Sequence, residues 1–393
     1  MSEIKVNSIK GVGASTAAIT VDNTAGTCTA NITNRNNRNL WINGACLVNQ
    51  RGSSSTSGGY QTVDRISFNT SGQDEALTQA QADVASGTTP YTLGLRKAFK
   101  VTNGNQTSGA GAADYAFMFY GFEAQDLVNS GWNYNSASSY VTLSFWIKSS
   151  VAKSFKGYFM TNDGSDYSYA FDTGSLSADT WTKVTKTISG NSNITINNDN
   201  GLGLGLYFWP YIGTNYTASS ATEDAWVAHS GSARTKDDTT TWWTTNDATL
   251  EFTGFQFEVG SVGTDFEHRS FAQELALCQR YFYMHASGAF PLSNTDRCPI
   301  GHGYGYTSTD GYVFVTYPVQ MRTNPSLYKV VGTDYFNFAY SNNNAYPNNI
   351  LANRVSNQVC ELSFYEGASW GQNDGGMFRT YNTATRIGFN AEL

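Results

Sequence analysis

Charge is scarce in this chain. Asp, Glu, Lys and Arg make up 14% of its 393 residues, and the formal net charge is −7. Without a basic field to attract phosphate, neither nucleic acid nor an anionic membrane surface is an expected partner. Long apolar runs are also missing. No stretch approaches the roughly eighteen apolar residues of a membrane span, and Met1 to Ser8 lack the apolar core of a secretory signal. The expectation is a chain made and kept in water. The five cysteines, Cys28, Cys46, Cys278, Cys298 and Cys360, are odd in number and widely scattered. They fit neither a disulfide framework nor a zinc site and read as reduced, mostly buried small hydrophobes.

What is abundant favours β-structure: 38 glycines, 24 tyrosines and 23 phenylalanines supply turns and bulky amphipathic rings. Residues 1–38 are rich in Asn, Thr, Ala and Gly without a sustained apolar period, so they form an extended arm unable to bury a core of its own. Residues 39–268 form the first β-domain, and from Tyr60 to about Gly260 the strand period dominates. In Tyr140-Val141-Thr142-Leu143-Ser144-Phe145-Trp146-Ile147-Lys148 the apolar residues Val141, Leu143, Phe145 and Ile147 share one face, which predicts a half-buried strand. Leu202-Gly203-Leu204-Gly205-Leu206 alternates leucine with glycine, leaving room for another backbone or a flat ligand to approach. Ser270 followed by Gln273 fits a capping box, with Phe271, Leu275, Cys278 and Phe282 at helical spacing. A short helix ending near Gln279 is therefore predicted inside a junction spanning 269–286. Residues 287–393 form a second strand-rich block of ordinary domain size. The predicted fold class is all-β: an N-terminal extended arm, a jelly-roll β-sandwich, a short helical junction and a C-terminal β-sandwich.

Several segments carry a resemblance in a fixed order. Asn43-Gly44-Ala45 through Gln50-Arg51-Gly52, Thr142 through Ser149, Trp181-Thr182-Lys183-Val184, Phe255 through Gly260 and Phe266-Glu267-His268-Arg269 resemble the jelly-roll domain of tail-fibre-like virion proteins of tailed bacteriophages. Pro318 through Pro325 and the final Asn390-Ala391-Glu392-Leu393 resemble the distal domain of that group. Ile66 departs from the pattern, since an aromatic residue often follows the Asp64-Arg65 pair. The resemblance implies a protein located in the virion and synthesised in the host bacterial cytoplasm. It further implies an N-terminal arm docked on a tail adaptor, nozzle or capsid, with Ile4, Val6 and Ile9 as attachment residues. It also implies a homo-oligomer, commonly a trimer, and β-domains that touch the host surface.

Sugars bind flat aromatic faces flanked by hydrogen-bonding groups, because a pyranose has an apolar C–H face and a hydroxyl rim. The richest cluster by sequence is Trp209-Pro210-Tyr211, Trp226 and Trp242-Trp243. The alternative reading of each ring is packing in a core or subunit interface. Neighbours on a regular strand face opposite ways, so at least one of Trp242 and Trp243 is expected at the surface or an interface. Asn162-Asp163-Gly164-Ser165-Asp166 reads as an acidic turn rather than a calcium loop, and His229, His268, His285 and His302 share no ligand spacing, so neither metal nor cofactor is expected. His268 is expected to cap or hydrogen-bond the turn before the helix. The glycines of Gly201–Gly205 and Gly301–Gly305 read as strand glycines rather than nucleotide loops. Carboxylate pairs such as Glu223-Asp224 and Asp237-Asp238 are as expected on solvated loops as in a glycosidase. The functional expectation is a tail fibre or fibre-like appendage that recognises a host-surface glycan during adsorption and is not an enzyme. The alternatives are a non-recognising head-decoration or tail-joint protein and, behind these, a polysaccharide depolymerase.

Overall fold

The computed structural model describes residues 6–10, 12, 19–21, 28–30, 37–288 and 297–393. Strands make up 42% of the described residues and helices 7%, in agreement with the all-β expectation. Within the arm, Ser8–Ile9, Ile19–Val21 and Cys28–Ala30 pair as a three-stranded antiparallel sheet. Val6 and Ile9 are exposed, and Ile4 lies outside the described residues.

Two six-stranded sheets face each other across the main core. In spatial order, one contains Trp226–Ala228, Tyr167–Asp172, Lys156–Thr161, Leu202–Ile212, Tyr115–Glu123 and Ser67–Ser71. The other contains Thr182–Ser189, Tyr140–Ser149, Thr249–Val259, Lys97–Thr102, Thr78–Asp83 and Ser54–Ser55. Alternation explains the core: Ala116, Met118, Tyr120 and Phe122 from one strand meet Leu143, Phe145 and Ile147 from the opposite sheet. Trp41 seals one end, sandwiched between Tyr120 at 3.7 Å and Phe255 at 4.2 Å. Ile66, which follows the Asp64-Arg65 pair, is fully buried in this core.

The Tyr140–Ser149 strand buries its apolar face as expected, while its outer face is exposed at Tyr140 and partly exposed at Trp146 and Lys148. Thr142 and Ser144 on that face are covered, because the chain after Val259 returns across them: Thr142 Oγ1 donates to Gly260 O at 2.8 Å. The helix Phe271–Gln279 ends where predicted, with the capping box formed by Ser270 and Gln273. Its predicted apolar stripe holds at Leu275, Cys278 and Phe282, which pack inward, but not at its first member. Phe271 is exposed, while Glu274 is buried beside Cys278; its carboxylate pairs with Arg269 at 2.9 Å and accepts from Asn43 N–H at 2.5 Å.

Phe282–Ser287, at the end of the predicted junction, is a strand. It pairs with Arg386–Asn390, which also pairs with Ser326–Val330. This small sheet shares a second core with a seven-stranded sheet ordered Asn343–Ala345, Phe336–Tyr340, Gly375–Thr380, Pro299–Gly305, Gly311–Thr316, Val359–Tyr365 and Asn349–Val355. The two cores are joined by buried polar groups. Glu392 pairs with Arg65 and, at 3.3 Å, with Arg51. Glu123 receives Arg280 at 2.5 Å and Tyr281 Oη at 2.7 Å. The cysteines with described side chains are free, Cys46, Cys278 and Cys360 buried and Cys298 partly so, as expected.

Candidate functional site

The Leu202–Ile212 strand sends Leu204, Leu206 and Phe208 inward and Tyr207 and Trp209 outward. Its neighbour Tyr115–Glu123 sends Tyr115, Phe117 and Phe119 outward. The register Ser67, Phe119, Tyr207, Tyr158, Ala170 runs across five strands and builds an aromatic row on the outer face. Phe119 and Tyr207 stand 5.0 Å apart, Tyr207 stacks on Tyr158 at 4.9 Å, and Phe117 lies 4.9 Å from Trp209. Gly205 makes this packing possible, since a Cβ there would meet Phe119 Cε2 at 2.9 Å. The glycine alternation thus serves a ring at Gly205 and a backbone at Gly203, where a Cβ would lie 2.7 Å from Ala124 Cα.

The chain after Gly213 folds back over part of this face. Tyr216 stands edge-on to Tyr115 at 5.8 Å, His229 lies 5.7 Å from Tyr158, and the Arg234 guanidinium sits 4.8 Å from the Tyr216 ring and 5.9 Å from that of Trp209. Trp209 and Tyr158 are thereby covered, whereas Tyr115, Phe117, Phe119, Tyr207, Met160 and Tyr216 remain partly exposed. Three buried polar atoms in this layer, Trp209 Nε1, His229 Nδ1 and Arg234 Nε, have no hydrogen-bond partner. Burial, and then the nearby Arg234, push the His229 imidazole below its ordinary value, so the ring is neutral at pH 7. Burial raises the Tyr207 phenol.

Of the rings singled out by sequence, only Trp209 belongs to this layer. Tyr211 turns into the core because an extra residue between Phe208 and Tyr211 shifts the register, so that Tyr211 falls opposite inward Ala116. Trp226 packs 5.5 Å from Tyr169 and donates to Ser189 O at 2.8 Å. The exposure expected for Trp242 or Trp243 is corrected: both are 0% exposed. They lie on the one-turn helix Thr241–Thr244 rather than a strand, so consecutive side chains need not oppose each other. Trp242 Nε1 donates to Thr249 O at 3.2 Å, and Trp243 Nε1 to Gly109 O at 3.0 Å. A covered face cannot stack on a sugar, so Tyr211, Trp226, Trp242 and Trp243 are core residues of this chain, and Trp209 supports the exposed rings from beneath. Sequence reasoning passed over Tyr115-Ala116-Phe117-Met118-Phe119, although its strict alternation of aromatic and apolar residues was legible.

The acidic candidates are occupied. Glu223 pairs with Lys156 and Lys236, both at 3.2 Å, Asp238 with Lys153 at 2.7 Å, and Asp237 accepts from Thr217 Oγ1 at 2.8 Å. Asp163, in the calcium-like segment, accepts from Asn197 N–H at 2.8 Å and Nδ2 at 2.6 Å. No His, Cys, Asp and Glu grouping among the described residues could hold a metal ion. His268 reaches Leu93 O at 2.8 Å rather than the helix turn. A concavity between Asn39, Leu47, His268 and Glu274 is lined by groups already bonded to one another. On the second sandwich, Tyr306 stacks on Tyr312 at 4.7 Å beside exposed Phe314, but the nearby Arg354 is held by Glu361 at 2.5 Å.

No protein family and no curated protein matches this chain. Similar solved structures include the enzymatically active domain of tailspike protein 4 of bacteriophage CBA120, at 9% identity and TM-score 0.30, covering 57% of this chain and 22% of that one. The N-terminal cellulose-binding domain of Cellulomonas fimi β-1,4-glucanase C is similar at 12% identity and TM-score 0.26, covering 54% and 97%. A family 11 carbohydrate-binding module from Clostridium thermocellum is similar at 10% identity and TM-score 0.25, covering 55% and 98%.

Proposed function

We propose that this chain is a phage virion protein, a tail fibre or similar appendage, that binds a host-surface glycan on the outer aromatic face of its first sandwich. The observation that carries the reading is the partly exposed layer of Tyr115, Phe117, Phe119 and Tyr207 on rigid paired strands, bordered by polar atoms without partners. Such rings offer a flat apolar surface to the C–H face of a sugar and lose little conformational freedom on binding it, because strand pairing already orders them. The sequence resemblance supplies the virion setting, with the arm as the attachment element and exposed Val6 and Ile9 as contacts. Oligomerisation, as a trimer in this reading, lets weak sites act together through effective concentration. Binding without turnover is supported by the engagement of Glu223, Asp237 and Asp238 in ion pairs and hydrogen bonds.

The test uses the purified chain and glycans extracted from a host surface. Tyr207→Ala and Phe119→Ala are each expected to weaken binding about tenfold or more, the scale of one stacked ring and its contacts. Trp243→Ala should destabilise the fold and, where folded protein is recovered, leave affinity intact. Unchanged binding in both surface variants would remove this face as the site. New reducing ends released from the glycan would replace recognition alone with depolymerisation.

A further inference from the structure

Arginines in this chain are almost all committed. Arg51 and Arg65 bind Glu392, Arg269 binds Glu274, Arg280 binds Glu123 and Arg354 binds Glu361. Arg96, Arg322 and Arg386 donate to backbone carbonyls, and Arg297 and Arg379 donate to Asn337. Among the described residues Arg234 alone has a guanidinium with neither a side-chain hydrogen bond nor an ion pair, although it is half-buried and its Nε is fully covered.

Its backbone, by contrast, is pinned. Arg234 N–H donates to Tyr216 O at 2.8 Å, and Ala218 N–H donates to Thr235 O at 3.1 Å in the following pair. The guanidinium is thereby held against the rings of Tyr216 and Trp209 at the edge of the aromatic layer. A second cation, Lys156, which pairs across the sheet with Trp209, is neutralised by Asp172 at 2.6 Å and Glu223 at 3.2 Å. Asp166 acts through space on His229 and Tyr207 without forming an ion pair with Arg234. The aromatic layer therefore carries one guanidinium without an ion-pair or hydrogen-bond partner, in a molecule of net charge −7. Its Nε is a buried donor without a partner while its Nη donors stay open at the surface, and a planar guanidinium fits a carboxylate or sulfate in a two-pronged arrangement.

Resting on the glycan-binding reading of this face, we propose that the saccharide it takes is acidic, and that its carboxylate or sulfate group docks on Arg234 while its ring lies on Phe117, Phe119 and Tyr207. Trp209 Nε1 and His229 Nδ1 are the adjoining polar atoms that local rearrangement would open to the same ligand.

The experiment is calorimetric titration of the full chain with three oligosaccharides of matched length: an oligogalacturonate, a sulfated galactan fragment and neutral cellohexaose. The expected result is about tenfold or greater preference for one or both acidic probes, the better of the two identifying the oxyanion, and a preference that shrinks as salt rises from about 50 to about 500 mM. Arg234→Gln should abolish the preference, and Arg234→Lys should restore it in part. Because this guanidinium makes no hydrogen bond or ion pair within the described chain, either change should lower the melting temperature by no more than the loss of its ring contacts with Tyr216 and Trp209. Cellohexaose binding as tightly as the acidic probes, or a silent Arg234→Gln, overturns the acidic specificity while leaving the glycan reading in place, provided Tyr207→Ala still weakens binding. If Tyr207→Ala changes nothing, or none of the probes and no host glycan binds, the reading of the face falls and the inference falls with it.

Discussion

Burial pushes the Asp64 carboxyl up to about 6, although Arg51 Nη1 lies 3.9 Å away and Gln50 donates through N–H at 2.9 Å and Nε2 at 2.6 Å. Removing a carboxylate from water costs more here than these partners return. The folded value lies above the ordinary 3.8, so the folded chain holds a proton that the unfolded chain has released between the two values. The stabilisation linked to that proton is full below the unfolded value and is lost as pH rises through about 6, a change of about 3 kcal/mol. Asp64→Asn is expected to remove this component from unfolding free energies measured between pH 4 and pH 7; identical pH profiles in both proteins would disprove the assignment. At the same scale, Trp243 fills the core against Tyr211 at 5.1 Å, and Trp243→Ala should cost about 3–5 kcal/mol in denaturant unfolding. Sequence identified Trp209 and Tyr211 as neighbours but could not tell that one supports the aromatic layer and the other fills the core. A ring's identity gives its area, whereas its exposure depends on which distant segment covers it.

At the scale of elements, local signals were read well where the interaction is local. Ser270 Oγ and Gln273 close the capping box within four residues, and Ser270→Ala should destabilise the fold by about 1 kcal/mol, seen as a lower melting temperature. The buried face of the same helix was legible at Leu275 and Cys278 but not at Phe271, which is exposed, or Glu274, which is buried. Glu274 is inward because Arg269 and Asn43 wait for it, and Asn43 lies 231 residues away in sequence. The outer strand face depends on phase. One extra residue between Phe208 and Tyr211 inverts the alternation, and periodicity alone cannot detect such a shift. Gly205 gives a test at this scale. Gly205→Ala places a methyl against Phe119 Cε2, so it should displace that ring, weaken saccharide binding and cost about 1–3 kcal/mol of stability. Unaltered affinity and stability would show that the ring has room to yield.

Over the whole molecule, the two sandwiches are tied by charge buried between them. Glu392, near one end of the second, reaches Arg51 and Arg65 of the first, Tyr60 Oη donates to Leu393 O at 3.0 Å, and Arg322 Nη1 reaches Asn200 O at 2.5 Å. Glu392→Gln leaves two buried guanidinium groups without their shared carboxylate, at a cost of about 3–5 kcal/mol. Calorimetry is expected to show one coupled transition in the parent protein and separated transitions in the variant; a single unshifted transition in both would mean that the sandwiches are coupled by other contacts. The sequence by itself determined the β-class, the strand-rich blocks, the capped helix and the abundance of rings, because alternation and capping act between residues close along the chain. Only the tertiary structure decided which rings stay partly open, that Trp242 and Trp243 are internal, and that Arg234 is left without a partner. Those outcomes depend on segments brought together across the sheets from far apart in the chain, and on where the returning loop after Gly213 comes to rest.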